Sequence, residues 1–97
     1  MYARVTIATA KLDKFDEVVK IMRDSILPVA KKQKGFKGFY DLADRKTGKG
    51  MVIVLWNTEA DMMAGESSPY YKEQVAKVAP FLSMSPVLEH YEVSVKG

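Results

Sequence analysis

The run Met51-Val52-Ile53-Val54-Leu55-Trp56 limits what this chain can fold into more than any other feature. Six consecutive apolar residues rich in β-branched side chains predict a strand. Side chains of a strand alternate between faces, so Met51, Ile53 and Leu55 point one way and Val52, Val54 and Trp56 the other. A strand at home in a half-wet sheet would be polar on alternate positions, and this one is not. Leaving either set in water forfeits about 1.5–3 kcal/mol per large side chain. For three such residues that rivals the whole stability of a small domain.

The surrounding segments say what is available to cover the two faces. Tyr2 to Thr9 alternates, with Ala3, Val5 and Ile7 on one side and Tyr2, Arg4 and Thr6 on the other, which predicts a strand. From Lys11 the period becomes helical, with Phe15, Val18, Val19, Met22 and Ile26 in one apolar stripe. Pro28 should kink or interrupt that helix, and Gly35 suits a left-handed cap after the lysines at 31, 32 and 34. Phe36 to Ala43 reads as a second strand, with Thr47-Gly48-Lys49-Gly50 in the hairpin turn before the third. Thr58-Glu59-Ala60-Asp61 has the form of a capping box, and Ser68-Pro69 that of a second helix start. Tyr71, Val75 and Val78 continue that helix, which Pro80 ends. In the last strand Val87, Tyr91, Val93 and Val95 share one side, and Leu88, His90, Glu92 and Ser94 the other.

The order β-α-β-β-α-β is the split unit of ferredoxin-like α+β folds: a four-stranded antiparallel sheet with both helices on one face. Such a chain has no element left for the second face, and 97 residues suit one domain over 1–97 rather than two. The economical cover is a second copy, sheet against sheet, so a homodimer is expected.

Composition narrows the chemistry. There is no cysteine and one histidine, which removes disulfides, thiolate nucleophiles and cysteine–zinc sites, and no metal is expected. No apolar run approaches the ~20 residues of a membrane span, and no signal peptide is evident, so a soluble, cytoplasmic setting is expected. The net charge of +3 is uneven: between Lys31 and Lys49 seven bases face two acids, a local +5. That stretch reads as a patch for anions or as a solvated helix end and hairpin.

With GFKGFYDL after the first helix, MVIVLWNTEADM through the third strand, SSPYYKE opening the later helix and LEHYEVSV at the end, the chain resembles the antibiotic biosynthesis monooxygenase family over nearly its whole length. The resemblance implies a dimeric α+β barrel. It also implies either cofactor-free oxygenation of polycyclic aromatic molecules, haem degradation, or no assigned activity. A histidine or tryptophan often stands three residues before the family's serine; here that position is Gly65, ahead of Ser68. Haem-degrading members use an asparagine on the first strand and a histidine after the serine motif. Residues 1–10 hold no asparagine and 71–80 no histidine, so haem chemistry is not expected and no cofactor is assigned.

Cofactor-free oxygenation of a phenolic or anthrone-like molecule needs a base, a dry cavity and donors for the resulting anion. His90 alone titrates near neutral pH without perturbation and is the base candidate; Trp56 can wall a pocket and offer one donor. These two are the candidate catalytic residues, with Tyr40, Tyr71, Tyr91 and Arg4 as candidates for binding substrate. Each has a plainer reading: Trp56 and Tyr71 as packing aromatics, His90 as a satisfied strand residue, and Arg4 paired with an acid across a dimer. No Ser-His-Asp or paired-carboxylate site assembles, and Gly48-Lys49-Gly50 is too short to cradle phosphate.

Three functions compete: an oxygenase-like enzyme on a small aromatic or polyketide-type molecule, a non-catalytic homodimeric binding or interaction protein, and an RNA-recognition domain. Lys34-Gly35-Phe36-Lys37-Gly38-Phe39-Tyr40 superficially matches the RNA-recognition signature. It falls on the second strand rather than the third, Lys37 disturbs its spacing, and the open face is too apolar, so no nucleic acid is expected. A cavity of roughly 300 Å³ or more with convergent polar groups would favour a small-molecule site. Filling of that space by Met22, Phe15 and Leu55 would count against an enzyme.

Overall fold

The computed structural model describes all of residues 1–97. Four strands, β1 (Tyr2–Thr9), β2 (Phe36–Ala43), β3 (Lys49–Trp56) and β4 (Val87–Glu92), form one antiparallel sheet in the order β2-β3-β1-β4. The helical segments are α1 (Phe15–Ile21), α2 (Leu27–Lys31), α3 (Glu59–Glu66) and α4 (Pro69–Val78). This is the expected ferredoxin-like α+β fold.

The register fixes which side chains share a face. Arg4 stands opposite both Val54 and His90, and Thr6 opposite Val52 and Leu88. These residues, with Trp56 and Phe39, belong to the helix-covered face. Ala3, Val5 and Ile7 align with Leu55, Ile53 and Met51, and on the flanks with Tyr40, Leu42, Val87 and Tyr91. This second face has no helix on it, and Tyr40, Leu42, Val87 and Tyr91 are exposed.

The first helical stretch departs from a single kinked helix. Between α1 and α2, residues Met22–Ile26 form a π-helical segment, in which the Leu27 amide donates to the Met22 carbonyl. Proline cannot donate, and its ring crowds the carbonyl four residues back, which here is Asp24 within the π segment. The widened turn takes up that crowding without breaking the helical path. Gly35 does not cap it: the helix ends at Lys32 in right-handed backbone, and Gly35, at φ +80°, lies in the turn that follows, where the Phe36 amide donates to the Gln33 carbonyl at 3.3 Å.

Two strand ends also differ from expectation. β3 begins at Lys49, inside the predicted turn, because Lys49 and Gly50 pair with Thr9 and Ala8 of β1. Gly48, at φ +81°, makes the reversal, and its Cα lies too close to the Ala10 carbonyl to carry a side chain. β4 ends at Glu92 because its partner β1 begins at Tyr2; only the Val93 amide continues, to the Met1 carbonyl.

The buried side chains form two clusters rather than one. Ala10, Phe15, Val18 and Val78 make the first, with Met22 and Ile26 packed on it. Val54, Trp56 and Met62 make the second, with Phe36, Phe39 and Val52 around it. A cavity lies between them.

Candidate functional site

A cavity of about 530 Å³, partly open to solvent, separates the sheet from α2, the π segment and α4, and residues of both clusters wall it. Met22 lines this space without filling it, Leu55 is on the other face of the sheet, and Phe15 lies outside its walls. Its lining is mainly hydrophobic, and the charged side chains among the lining residues are Arg4 and Lys72. No carboxylate lines it.

Arg4 is the central polar group. Alternation on β1 turns it beneath the helices, where only 7% of the residue is exposed. Its guanidinium carbon lies 4.7 Å from the centre of the Tyr71 ring and 5.3 Å from that of Trp56. Two aromatic faces thus replace part of the lost hydration of the cation. Burial nonetheless pushes the guanidinium pKa down, with Tyr71 and Glu66 opposing the shift. No acid forms an ion pair with Arg4, and its buried Nη1 has no hydrogen-bond partner.

Trp56 ends β3 and is 1% exposed, edge-on to Phe36 with ring centres 6.4 Å apart. Its indole Nε1 is likewise buried and unpartnered. Gly65 makes room for the ring: a Cβ there would come within 2.8 Å of the Trp56 Cη2 atom. A glycine inside a helix costs about 1 kcal/mol relative to alanine, a sign of close approach that sequence reading did not use.

Tyr71 comes from the start of α4. Ser68 caps that helix by accepting from the Tyr71 amide at 3.3 Å, while its own hydroxyl donates to the Gly65 carbonyl at 2.7 Å. One serine therefore joins the end of α3 to the start of α4 and sets both Gly65 and Tyr71. Desolvation raises the Tyr71 pKa, an effect Arg4 and Thr6 partly offset, so the phenol keeps its proton at neutral pH.

His90 lies on the same face, across β1 from Arg4, but does not line the cavity. Its Nε2 lies 2.7 Å from Glu66 Oε1, with 36% and 18% of the two side chains exposed. Neither member of the pair lines the cavity. Tyr40 and Tyr91 are on the opposite face of the sheet, exposed and away from the cavity, and the Tyr91 hydroxyl donates to Glu89 at 2.9 Å. The structure thus brings Arg4, Trp56 and Tyr71 together, leaves His90 beside them, and sets Tyr40 and Tyr91 apart.

Sequence reading missed Glu66 and Gln74, and took Gly65 only as a departure from the family's pattern. Gln74 is 8% exposed, lines the cavity and accepts from the Ser25 hydroxyl at 3.1 Å, which ties α4 to the π segment. It lies one turn from both Tyr71 and Val78, a polar residue inside an apolar helical stripe, and that interruption was legible. No three or more His, Cys, Asp or Glu side chains gather where they would hold a metal ion. No helix is long and apolar enough to cross a membrane.

No protein-family model matches the chain, and no curated protein matches it. Solved structures do. A Nitrosomonas europaea protein named as a candidate antibiotic biosynthesis monooxygenase superposes with a TM-score of 0.83 at 18% identity, covering 98% of this chain and 100% of its own. A Deinococcus radiodurans protein named likewise gives 0.83 at 11% identity, over 99% and 95% of the two chains. A second Nitrosomonas europaea protein, of unknown function, gives 0.79 at 21% identity, over 99% and 91%. At these identities the likeness speaks for architecture, and the architecture is that of the antibiotic biosynthesis monooxygenase structures.

Proposed function

We propose that the chain binds a small aromatic or polyketide-type molecule in the cavity between sheet and helices and acts on it as a cofactor-independent oxygenase. The observation that carries the reading is the cavity itself, about 530 Å³ between two half-cores, with Arg4, Trp56 and Tyr71 converging in it. Pockets of this size, mostly apolar with a few placed polar groups, are the usual form of small-molecule sites. Exclusion of water strengthens each donor there, and donors that hold a phenolate or enolate oxygen favour its formation. The Arg4 cation and the Trp56 and Tyr71 donors have that character. His90, on the same sheet face and 2.7 Å from Glu66, is the base in this reading.

A second reading, a non-catalytic binding protein on the same scaffold, is favoured by one observation: His90 lies outside the cavity wall. Oxygen uptake in the presence of a panel of anthrones and quinols separates the two. Protein-dependent uptake, reduced at least tenfold by His90→Ala, supports the enzyme. Binding of the same compounds without uptake above the blank leaves the binder.

We further propose that the uncovered sheet face meets a second copy of the chain. Tyr40, Leu42, Val87 and Tyr91 are exposed there, around Met51, Ile53 and Leu55. A self-complementary apolar face related by a two-fold axis buries all of them at once.

A further inference from the structure

We infer that the ligand of the cavity is an apolar monocarboxylate, its carboxylate oxygens accepting from Arg4 Nη1 and Trp56 Nε1. This rests on the small-molecule reading above and names the class of molecule. The two nitrogens are the buried side-chain N or O atoms without a partner in the whole chain, and both belong to residues that line one cavity, each nitrogen being covered by its neighbours until the wall yields to a guest. Buried donors are almost always satisfied, so a pair left open in one place marks a site completed by something else.

The chemistry of that something follows from charge. Guanidinium does not shed its proton in proteins, and a neutral acceptor such as a ketone or amide would leave a buried cation uncompensated. Glu66, the nearest acid to bear on Arg4, is engaged by His90 at 2.7 Å and makes no ion pair with the guanidinium. Lys72, the other charged lining residue, is also a cation, so the cavity has a positive balance with no internal counter-ion. An anion with two acceptor oxygens answers both open donors and the charge.

The rest of the wall excludes larger charges. Beyond Arg4 the cavity runs between Ile26, Val29, Val52 and Leu88, where a second phosphate or carboxylate would be stranded without donors. Nucleotides and sugar phosphates are therefore poor fits. A single carboxylate on an apolar, preferably aromatic, body suits both ends of the space.

The chain's one tryptophan makes the test direct, because its indole N–H gives a single resonance that reports on the site. The full chain is titrated at neutral pH with naphthalene-2-carboxylate and, separately, with naphthalene-2-carboxamide. Both are followed by calorimetry and by the indole N–H shift. The inference expects the carboxylate to bind at least tenfold more tightly and to move the indole proton downfield. Arg4→Met should erase that preference and Arg4→Lys keep part of it. Where Arg4→Met does not fold, the comparison on the unaltered chain decides. Equal affinity of the two compounds with a shifted indole resonance overturns the carboxylate and leaves the small-molecule cavity standing. Carboxylate binding that leaves the indole proton unmoved overturns the placement. No binding of either compound overturns the inference together with the reading it rests on.

Discussion

At the scale of single residues, the site depends on a large side chain allowed in by a missing one. Gly65→Ala would add a Cβ 2.8 Å from a rigid ring atom of Trp56. The helix gains about 1 kcal/mol from alanine, while overpacking a tight site costs about 1–3 kcal/mol. The expected outcome is a net loss of about 0–2 kcal/mol in urea melts, together with weaker ligand binding as the indole is driven into the cavity. Tyr71 gives a pH prediction. Its pKa in the folded chain is raised above the ordinary 10.0, so the stability it contributes is complete below that value and is lost as pH rises through the folded one. Melting temperature should therefore fall above about pH 10, and Tyr71→Phe should flatten that fall. An unchanged alkaline limb in the variant would show that the phenol is not held in a desolvated place. None of this pairing was legible from spacing. Arg4 and Trp56 are fifty-two positions apart, and Gly65 is meaningful only once the indole is seen against it.

At the scale of elements, caps separate stability from site geometry. Thr58 Oγ accepts from the Asp61 amide at 3.0 Å at the start of α3, and Ser68 does the equivalent for α4 while also holding the Gly65 carbonyl. Either cap changed to alanine should cost about 0.5–2 kcal/mol. Ser68→Ala should in addition weaken ligand binding, because it loosens the α3–α4 joint that sets Tyr71 and Gly65; Thr58→Ala should not. Equal affinities in the two variants would show that the joint plays no part in shaping the cavity. Much at this scale could be read in advance. The strand patterns of β1 and β3 and the Ser-Pro helix start each rest on a local rule and are found where the rule puts them, whereas Gly35 takes its left-handed backbone in the turn beyond the helix rather than at its cap. The π segment is different. An apolar stripe at 15, 18, 19, 22 and 26 is compatible with an ordinary helix, and nothing in it says where hydrogen bonds must skip a residue. The strand ends at Lys49 and Glu92 escaped for a related reason, since they are set by the length of a neighbour distant in sequence.

At the scale of the whole molecule, the two sheet faces call for different completions. The apolar face opposite the helices is expected to be covered by its own copy. Sedimentation at micromolar concentration should give a particle of twice 10.9 kDa, and Leu42→Glu, a charge set into that face, should reduce it to one. A well-folded single-chain particle from the unaltered sequence would refute the pairing. The division of the interior into two clusters reaches further. A chain whose hydrophobic groups leave a hollow between them reaches its full resistance to heat only when a guest occupies the gap. By mass action a ligand at a hundredfold its dissociation constant adds about 2.7 kcal/mol, and for a chain of this size each kcal/mol raises the melting temperature by about 4–8 °C. A library of small acids screened by melting alone should therefore pick out the natural occupant, with no assay for turnover required.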